Sequence, residues 1–387
     1  MDIQALQAAR LAGTDQDHDP FAGRGVVIEL KEVTKTFGKK KNAVTAVDAI
    51  DLDVREGEFL SILGPAGCGK TTLLRLIAGL DIPNPGQILI DGKECSRWPA
   101  HRRPVNTIFK DYALFPHMSV SDNIGFGMRM KKEKKHDIAR EVLGALKLLD
   151  LMDVAVHKPK QLTRDQSLRT AIARALVVEP QALLLDEPLG GLDLKQRSEM
   201  IKKLRELQAN LAIPFVMVTE DQEDALALSH TVAVMNHGII EQIGPAATLY
   251  EHPVNPFVAG FVGNCNLIKG RFLYREGEQV VVETELGKIQ CTFRGSEAEK
   301  ADQNEVTLAI RPEKITYNPG TEAPNRFVGT VTEVDYQGAS TDVKVRNNDT
   351  EIHITIANSR LVLPNIVVGD NASFNFPPDN LLLMDAA

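Results

Sequence analysis

Eight consecutive residues, Gly64-Pro65-Ala66-Gly67-Cys68-Gly69-Lys70-Thr71, constrain this chain more than any other stretch. Two glycines separated by four residues and followed by Lys and Thr form the pattern of a phosphate-holding loop. A run of phosphates must be met by converging N–H donors at short range. Gly64, Gly67 and Gly69 are expected to carry the backbone through positive φ and let it approach with no Cβ in the way. Pro65, Ala66 and Cys68 belong to the same contacting loop. The segment from Thr71 and Thr72 to Leu80 reads as a helix whose amino end favours anions. In such a loop Lys70 reaches the terminal phosphates of ATP, and Thr71 places a hydroxyl on Mg2+.

The competing reading is a Gly-rich turn that happens to precede a helix, and the neighbouring residues argue against it. Ahead of the loop, Glu58-Phe59-Leu60-Ser61-Ile62-Leu63 is a short apolar run between glycines, the pattern of a buried strand. Behind it, Leu73, Leu74, Leu76 and Ile77 make an apolar stripe at helical spacing that Gly79 ends. Further on, Ala182-Leu183-Leu184-Leu185-Asp186-Glu187 is an apolar strand delivering two carboxylates at its end. Asp186 is expected to hold Mg2+, and Glu187 to polarise an attacking water.

The net charge of −8 and an aromatic content of 5% argue against a broad nucleic-acid-binding surface. Cys68, Cys95, Cys265 and Cys291 lie far apart with no pair at metal spacing, and are expected to be free thiols of a reducing cytosol, with a disulfide as the alternative. No apolar run approaches the length needed to span a bilayer. A membrane role would therefore come through a partner.

Residues 1–25 read as a mobile polar extension. From Val26 to Val54 the pattern is strand-like around a Lys39-Lys40-Lys41 turn, and Phe37 stands at the end of the first strand. There it would either stack on an adenine ring or pack locally. Gln87 to Gly92 reads as an edge strand and turn. Helical patterns follow from Ser121 to about Asp153, from Gln166 to Val178 and from Lys195 to Ala212, with a buried strand at Pro214 to Thr219. This alternation implies a mostly parallel sheet. Beyond Asn264, short strand patterns separated by Gly, Asn and Pro imply a small all-β barrel. The fold expected is an α/β phosphate-loop domain over 26–258, with a helical subdomain at about 110–178, and an all-β domain over 264–387.

Taken with Tyr112-Ala113-Leu114-Phe115-Pro116-His117-Met118, Ala171-Ile172-Ala173-Arg174-Ala175, Leu184 to Pro188 and Ile310-Arg311-Pro312-Glu313, the loop gives a combination that resembles the ATP-binding subunits of ABC-type importers. The resemblance spans about Val26 to the C-terminus. It implies a nucleotide-driven transport ATPase, with polyamine import favoured over iron, sulfate or sugar. Its partners would be a second ATP-binding subunit, in a homodimer, with integral membrane permease subunits and indirectly an extracytoplasmic binding protein. It would sit peripherally on the cytoplasmic face of the membrane, with a C-terminal domain like the TOBE domain, and the stretch from Tyr112 to Phe115 would lie where the membrane subunits touch. In that family each ATP is trapped between one phosphate loop and the partner's signature segment, here Leu162-Thr163-Arg164-Asp165-Gln166, in which Thr163 and Gln166 would face the nucleotide.

Three departures from the family pattern stand out. Lys110 replaces a Gln that lends its oxygen to Mg2+ and water, and an ammonium cannot ligate a metal. Arg164 and Asp165 replace two glycines. Glu220 replaces a His that donates to the γ phosphate, so that a carboxylate would face phosphate charge. Lys110 and Glu220 are expected to join in a salt bridge across the site. An alternative function accordingly stands beside ATP hydrolysis, that of a hydrolysis-impaired nucleotide-binding subunit acting structurally or with a competent partner.

Overall fold

The computed structural model describes residues 21, 23–38, 42–292, 305–318, 322–358 and 366–385. Most of the expected N-terminal extension and the Lys39-Lys40-Lys41 turn lie outside them. Of the extension's described residues, Phe21 is buried and Gly23, Arg24 and Gly25 are exposed. Phe21 is buried edge-on against His230, with the Arg24 guanidinium over its ring.

The chain divides into two compact units, Met1–Ala246 and Ala247–Ala387. The strands of the first are β1 (Val26–Phe37), β2 (Val44–Arg55), β3 (Phe59–Leu63), β4 (Gln87–Ile90), β5 (Lys93–Glu94), β6 (Val105–Ile108), β7 (Ala182–Asp186), β8 (Phe215–Thr219), β9 (Thr231–Asn236) and β10 (Ile239–Gly244). They make an antiparallel sheet of order β2-β1-β4-β5 and a six-stranded sheet of order β10-β9-β3-β8-β7-β6. Gln87–Ile90 is thus not an edge, because the two-residue β5 pairs outside it. In the six-stranded sheet β9, β3, β8, β7 and β6 run parallel. Every residue of β3 and β8 is buried, as expected of parallel strands covered on both faces.

Helix α1 (Lys70–Ala78) follows β3 and stops at Gly79, whose φ of 75° is the left-handed cap that only glycine adopts freely. A Cβ at Gly79 would also meet the Arg103 guanidinium at 2.5 Å. Arg103 is buried and donates to the carbonyls of Leu76, Ile77, Ser96 and Trp98, so it closes the carboxyl end of α1. The helical segment comprises α2 (Val120–Ile124), α3 (Phe126–Met130), α4 (Lys135–Leu148) and α5 (Arg164–Leu176), with α6 (Leu194–Leu211) and α7 (Gln222–Leu228) completing the unit.

The second unit carries two five-stranded antiparallel sheets sharing one apolar core, with Phe327, Phe374 and Phe376 in mutual contact. Arg311, from the family-like Ile310-Arg311-Pro312-Glu313 motif, is buried and donates to the carbonyls of Tyr250, Ala259 and Asn264. Nearby, the Tyr250 hydroxyl bonds to Glu313, and burial with that carboxylate pushes the phenol up to about 12. The four cysteines are free thiols.

Candidate nucleotide site

Parallel strands present all their carboxyl ends on one edge of the sheet, and ligands of such sheets bind there. Here β3 ends in the glycine loop, β7 in Asp186 and Glu187, β8 in Thr219 and Glu220, and β6 two residues before Lys110. The site is therefore assembled from four strand ends far apart in sequence.

The loop is shaped by steric need at two glycines. Gly69 has φ of 113°, and a Cβ there would lie 2.0 Å from the carbonyl oxygen of Ala46. Gly67 has φ of 75° with open space around it. Gly64 does not take positive φ, contrary to expectation. It is glycine for room, since a Cβ would sit 2.2 Å from the Met235 oxygen. The first turn of α1 has no side-chain cap and no acidic residue, which leaves its N–H groups facing the loop. Lys70 is buried, with Nζ 2.8 Å from the carbonyl oxygens of Gly64 and Pro65. Pro65 is half-buried, Ala66 exposed and Cys68 buried, with burial pushing its thiol up. Thr71 is exposed and Thr72 half-buried.

Thr71 Oγ1 stands 3.5 Å from Asp186 Oδ1. Burial, then the neighbouring Glu187 carboxylate, pushes the Asp186 carboxyl up. A carboxylate and a hydroxyl held close form an oxygen donor set that fits a hard divalent cation. Magnesium commonly takes only one or two carboxylates, the rest of its shell coming from phosphate and water. Among the described residues no group of three or more His, Cys, Asp or Glu side chains could hold a metal by itself. Glu187 has φ of 44°, and its N–H donates to the Val218 carbonyl. A non-glycine residue in that region is strained, and such strain persists where the surroundings over-determine it.

The expected Lys110–Glu220 salt bridge does not form. Lys110 pairs with Glu187, which raises the lysine's pKa, while Glu220 Oε1 lies 3.6 Å from Lys70 Nζ. Strand order is the reason. In the sequence β3-β8-β7-β6, Glu220 leaves β8 beside the glycine loop, and Lys110 leaves β6 beside the acidic end of β7.

Thr163 and Gln166 face each other. Thr163 Oγ1 accepts from the Gln166 N–H, and Gln166 Oε1 accepts from the Thr163 N–H. Asp165 pairs with Arg169, which also donates to the carbonyls of Leu149 and Asp150. Arg164 lies over the Tyr112 ring at 5.9 Å. An open groove of about 810 Å3 runs from Asp186 and Lys110 past Tyr112 and Leu162 to Arg164. Tyr112 itself is buried, its hydroxyl donating to Pro188 O, so the exposed members of that stretch are Ala113, Pro116 and His117. Phe37 is 43% exposed beneath the Lys35 ammonium.

Sequence reasoning missed Arg197, which reaches from α6 to Asp221 and Asp224 just after Glu220. No spacing signals it, because the partners sit on different elements. Arg103 was likewise invisible, its acceptors being backbone carbonyls.

Residues 47–190 match the ABC transporter family, and residues 308–384 match the TOBE domain. The spermidine/putrescine import ATP-binding protein of Trichodesmium erythraeum is 43% identical over 346 residues, 88% of this chain and 90% of that protein. Its namesake from a Nostoc species is 46% identical over 321 residues, 82% of this chain and 83% of that one. Among solved structures, the dimeric post-hydrolysis state of an ATP-binding cassette bound to ADP and phosphate is 30% identical, with a TM-score of 0.51. It covers 56% of this chain and 98% of its own. A phosphate loop, an Asp-Glu strand end on the same sheet edge and relatives that align over most of both lengths place this chain in the ABC transporter family, among its ATP-binding subunits.

Proposed function

We propose that the chain is the energy-coupling subunit of an importer for polyamines, binding ATP with Mg2+ and hydrolysing it to drive transport. The observation that carries the reading is the convergence of Lys70, Thr71, Asp186 and Glu187 on one sheet edge, in a chain whose relatives are named for spermidine/putrescine import. The loop N–H groups and Lys70 hold the phosphates. Thr71 and Asp186 hold the metal, which supplies charge neutralisation when bound. Glu187 is the base that orients and deprotonates water. For that role its carboxylate has to exchange Lys110 for water, because a carboxylate engaged by an ammonium is a poorer acceptor.

Two copies would close face to face, with the segment from Thr163 to Gln166 of each copy toward the other's nucleotide. Permease subunits and an extracytoplasmic binding protein complete the reading. Among the described residues no helix is long and apolar enough to cross a membrane. Attachment at the cytoplasmic face of the membrane would therefore come through the permease.

A second reading, a nucleotide-binding subunit with impaired hydrolysis, is favoured by the ion pair between Lys110 and Glu187. ATP binding and turnover by the wild type beside Glu187→Gln separate the two. Tight binding with turnover that Glu187→Gln abolishes supports the ATPase. Tight binding with no turnover in either supports the second reading, and absence of binding sinks both. Loss of polyamine uptake in cells lacking the chain tests the cargo.

A further inference from the structure

The Lys70 ammonium already donates to the carbonyls of Gly64 and Pro65, each at 2.8 Å, and to Cys68 Sγ at 3.9 Å, and it is ion-paired with the Glu220 carboxylate at 3.6 Å. Glu220 is therefore a carboxylate lying against the one lysine of the phosphate loop. Its side chain is 50% exposed, but its backbone is held on both sides. Thr219 before it is buried and accepts from the Asp221 N–H, and Asp221 is tied to Arg197 while capping α7. The carboxylate thus projects from a fixed point. Lys110, a second cation of the site, is engaged by Glu187. Lys70 and Lys110 thus face three carboxylates, those of Asp186, Glu187 and Glu220, while Arg75, whose charge also reaches Asp186, is paired with Asp81.

We infer that Glu220 is a specificity-determining residue that acts as an internal surrogate for the terminal phosphate, so that the site holds a nucleoside diphosphate in preference to the triphosphate. This rests on the nucleotide-binding reading of the loop. A diphosphate can be held by the loop N–H groups while Glu220 keeps its contact with Lys70. A third phosphoryl group brings further negative charge toward the same ammonium, so it must displace the carboxylate and then lie beside it. Like charges about 4 Å apart in a half-exposed site repel enough to shift a binding ratio by roughly tenfold.

The test is equilibrium titration of the full chain, with Mg2+, against fluorescent ADP and a fluorescent, non-hydrolysable ATP analogue, for wild type, Glu220→Gln and Glu220→Ala. The wild type is expected to bind the diphosphate more tightly, and both variants to move the ratio about tenfold toward the triphosphate. Glu220→Gln keeps the shape and removes the charge, so agreement between the two variants isolates charge as the cause. A wild type that prefers the triphosphate, or a ratio within about twofold of wild type in both variants, overturns the surrogate while leaving the loop a nucleotide site. Failure of the wild type to bind either nucleotide overturns the nucleotide reading itself, and the surrogate with it.

Discussion

Two helices in the first unit begin in opposite ways. Helix α1 starts at Lys70 behind a left-handed glycine, with no side chain capping its N–H groups and no acidic residue in its first turn. Helix α5 starts behind Thr163 in a complete capping box, with Asp165 in the first turn held by Arg169. The orphan donors at a helix start must be satisfied somehow, by the chain's own side chains or by something from outside. At α5 the chain has satisfied them. At α1 it has not, and the surrounding residues exclude any side chain that would. The difference separates an end built to receive an anion from one whose own oxygens are already committed. On the proposed face-to-face closure of two copies, the segment before α5 would meet the other copy's nucleotide. In this chain Thr163 and Gln166 would first have to release each other.

The largest expected effect comes from closing the open helix start. Gly69→Ala forces a Cβ against the Ala46 carbonyl at a φ that side chains rarely adopt, so nucleotide affinity should fall by more than about a hundredfold. Titration with fluorescent ADP measures it, and retention of near-wild-type affinity would break the comparison.

Opening the closed start should cost stability instead. Thr163→Ala removes the cap acceptor and should lower stability by about 1 kcal/mol, read as a Tm drop of a few degrees in nucleotide-free protein. Thr163→Ser should recover most of it. No drop would mean that the box is not what holds α5.

The smallest effect probes the strand end facing the open helix. Burial and Glu187 raise the Asp186 carboxyl above its ordinary 3.8, so its ionised form costs the fold stability. That cost is absent below the unfolded pKa and grows as pH rises through the shifted one. Asp186→Asn should therefore raise the Tm of the nucleotide-free protein at pH 7 by about 2 °C. The gain should vanish below about pH 4. A lower Tm at pH 7 would show that Asp186 is a stabilising anion rather than one held at a cost for function.

Much of the site was legible because its chemistry is local. The loop from Gly64 to Thr71 and the Asp186-Glu187 strand end are continuous runs whose residue types and flanking apolar strands follow from backbone sterics and burial. They pointed to the α/β class, and the glycine loop and acidic pair they mark lie at one edge of the sheet. The change to an all-β texture beyond Asn264 was equally visible, because period-two alternation broken by turn residues is a property of the chain itself. Which charge meets which was not legible. Lys110, Glu187, Glu220 and Lys70 lie in four separate segments, and nothing in their spacing tells whether Lys110 meets Glu220 or Glu187. That depends on β8 and β7 lying between β3 and β6, an order set by how the strands pack rather than by any one of them. Arg103 and Arg197 were hidden for the same reason, since a buried guanidinium's partners are chosen by tertiary proximity. Sequence by itself determined which groups the site contains; only the tertiary structure decided their pairing, because ion pairs form across distances that the sheet, and not the chain, sets.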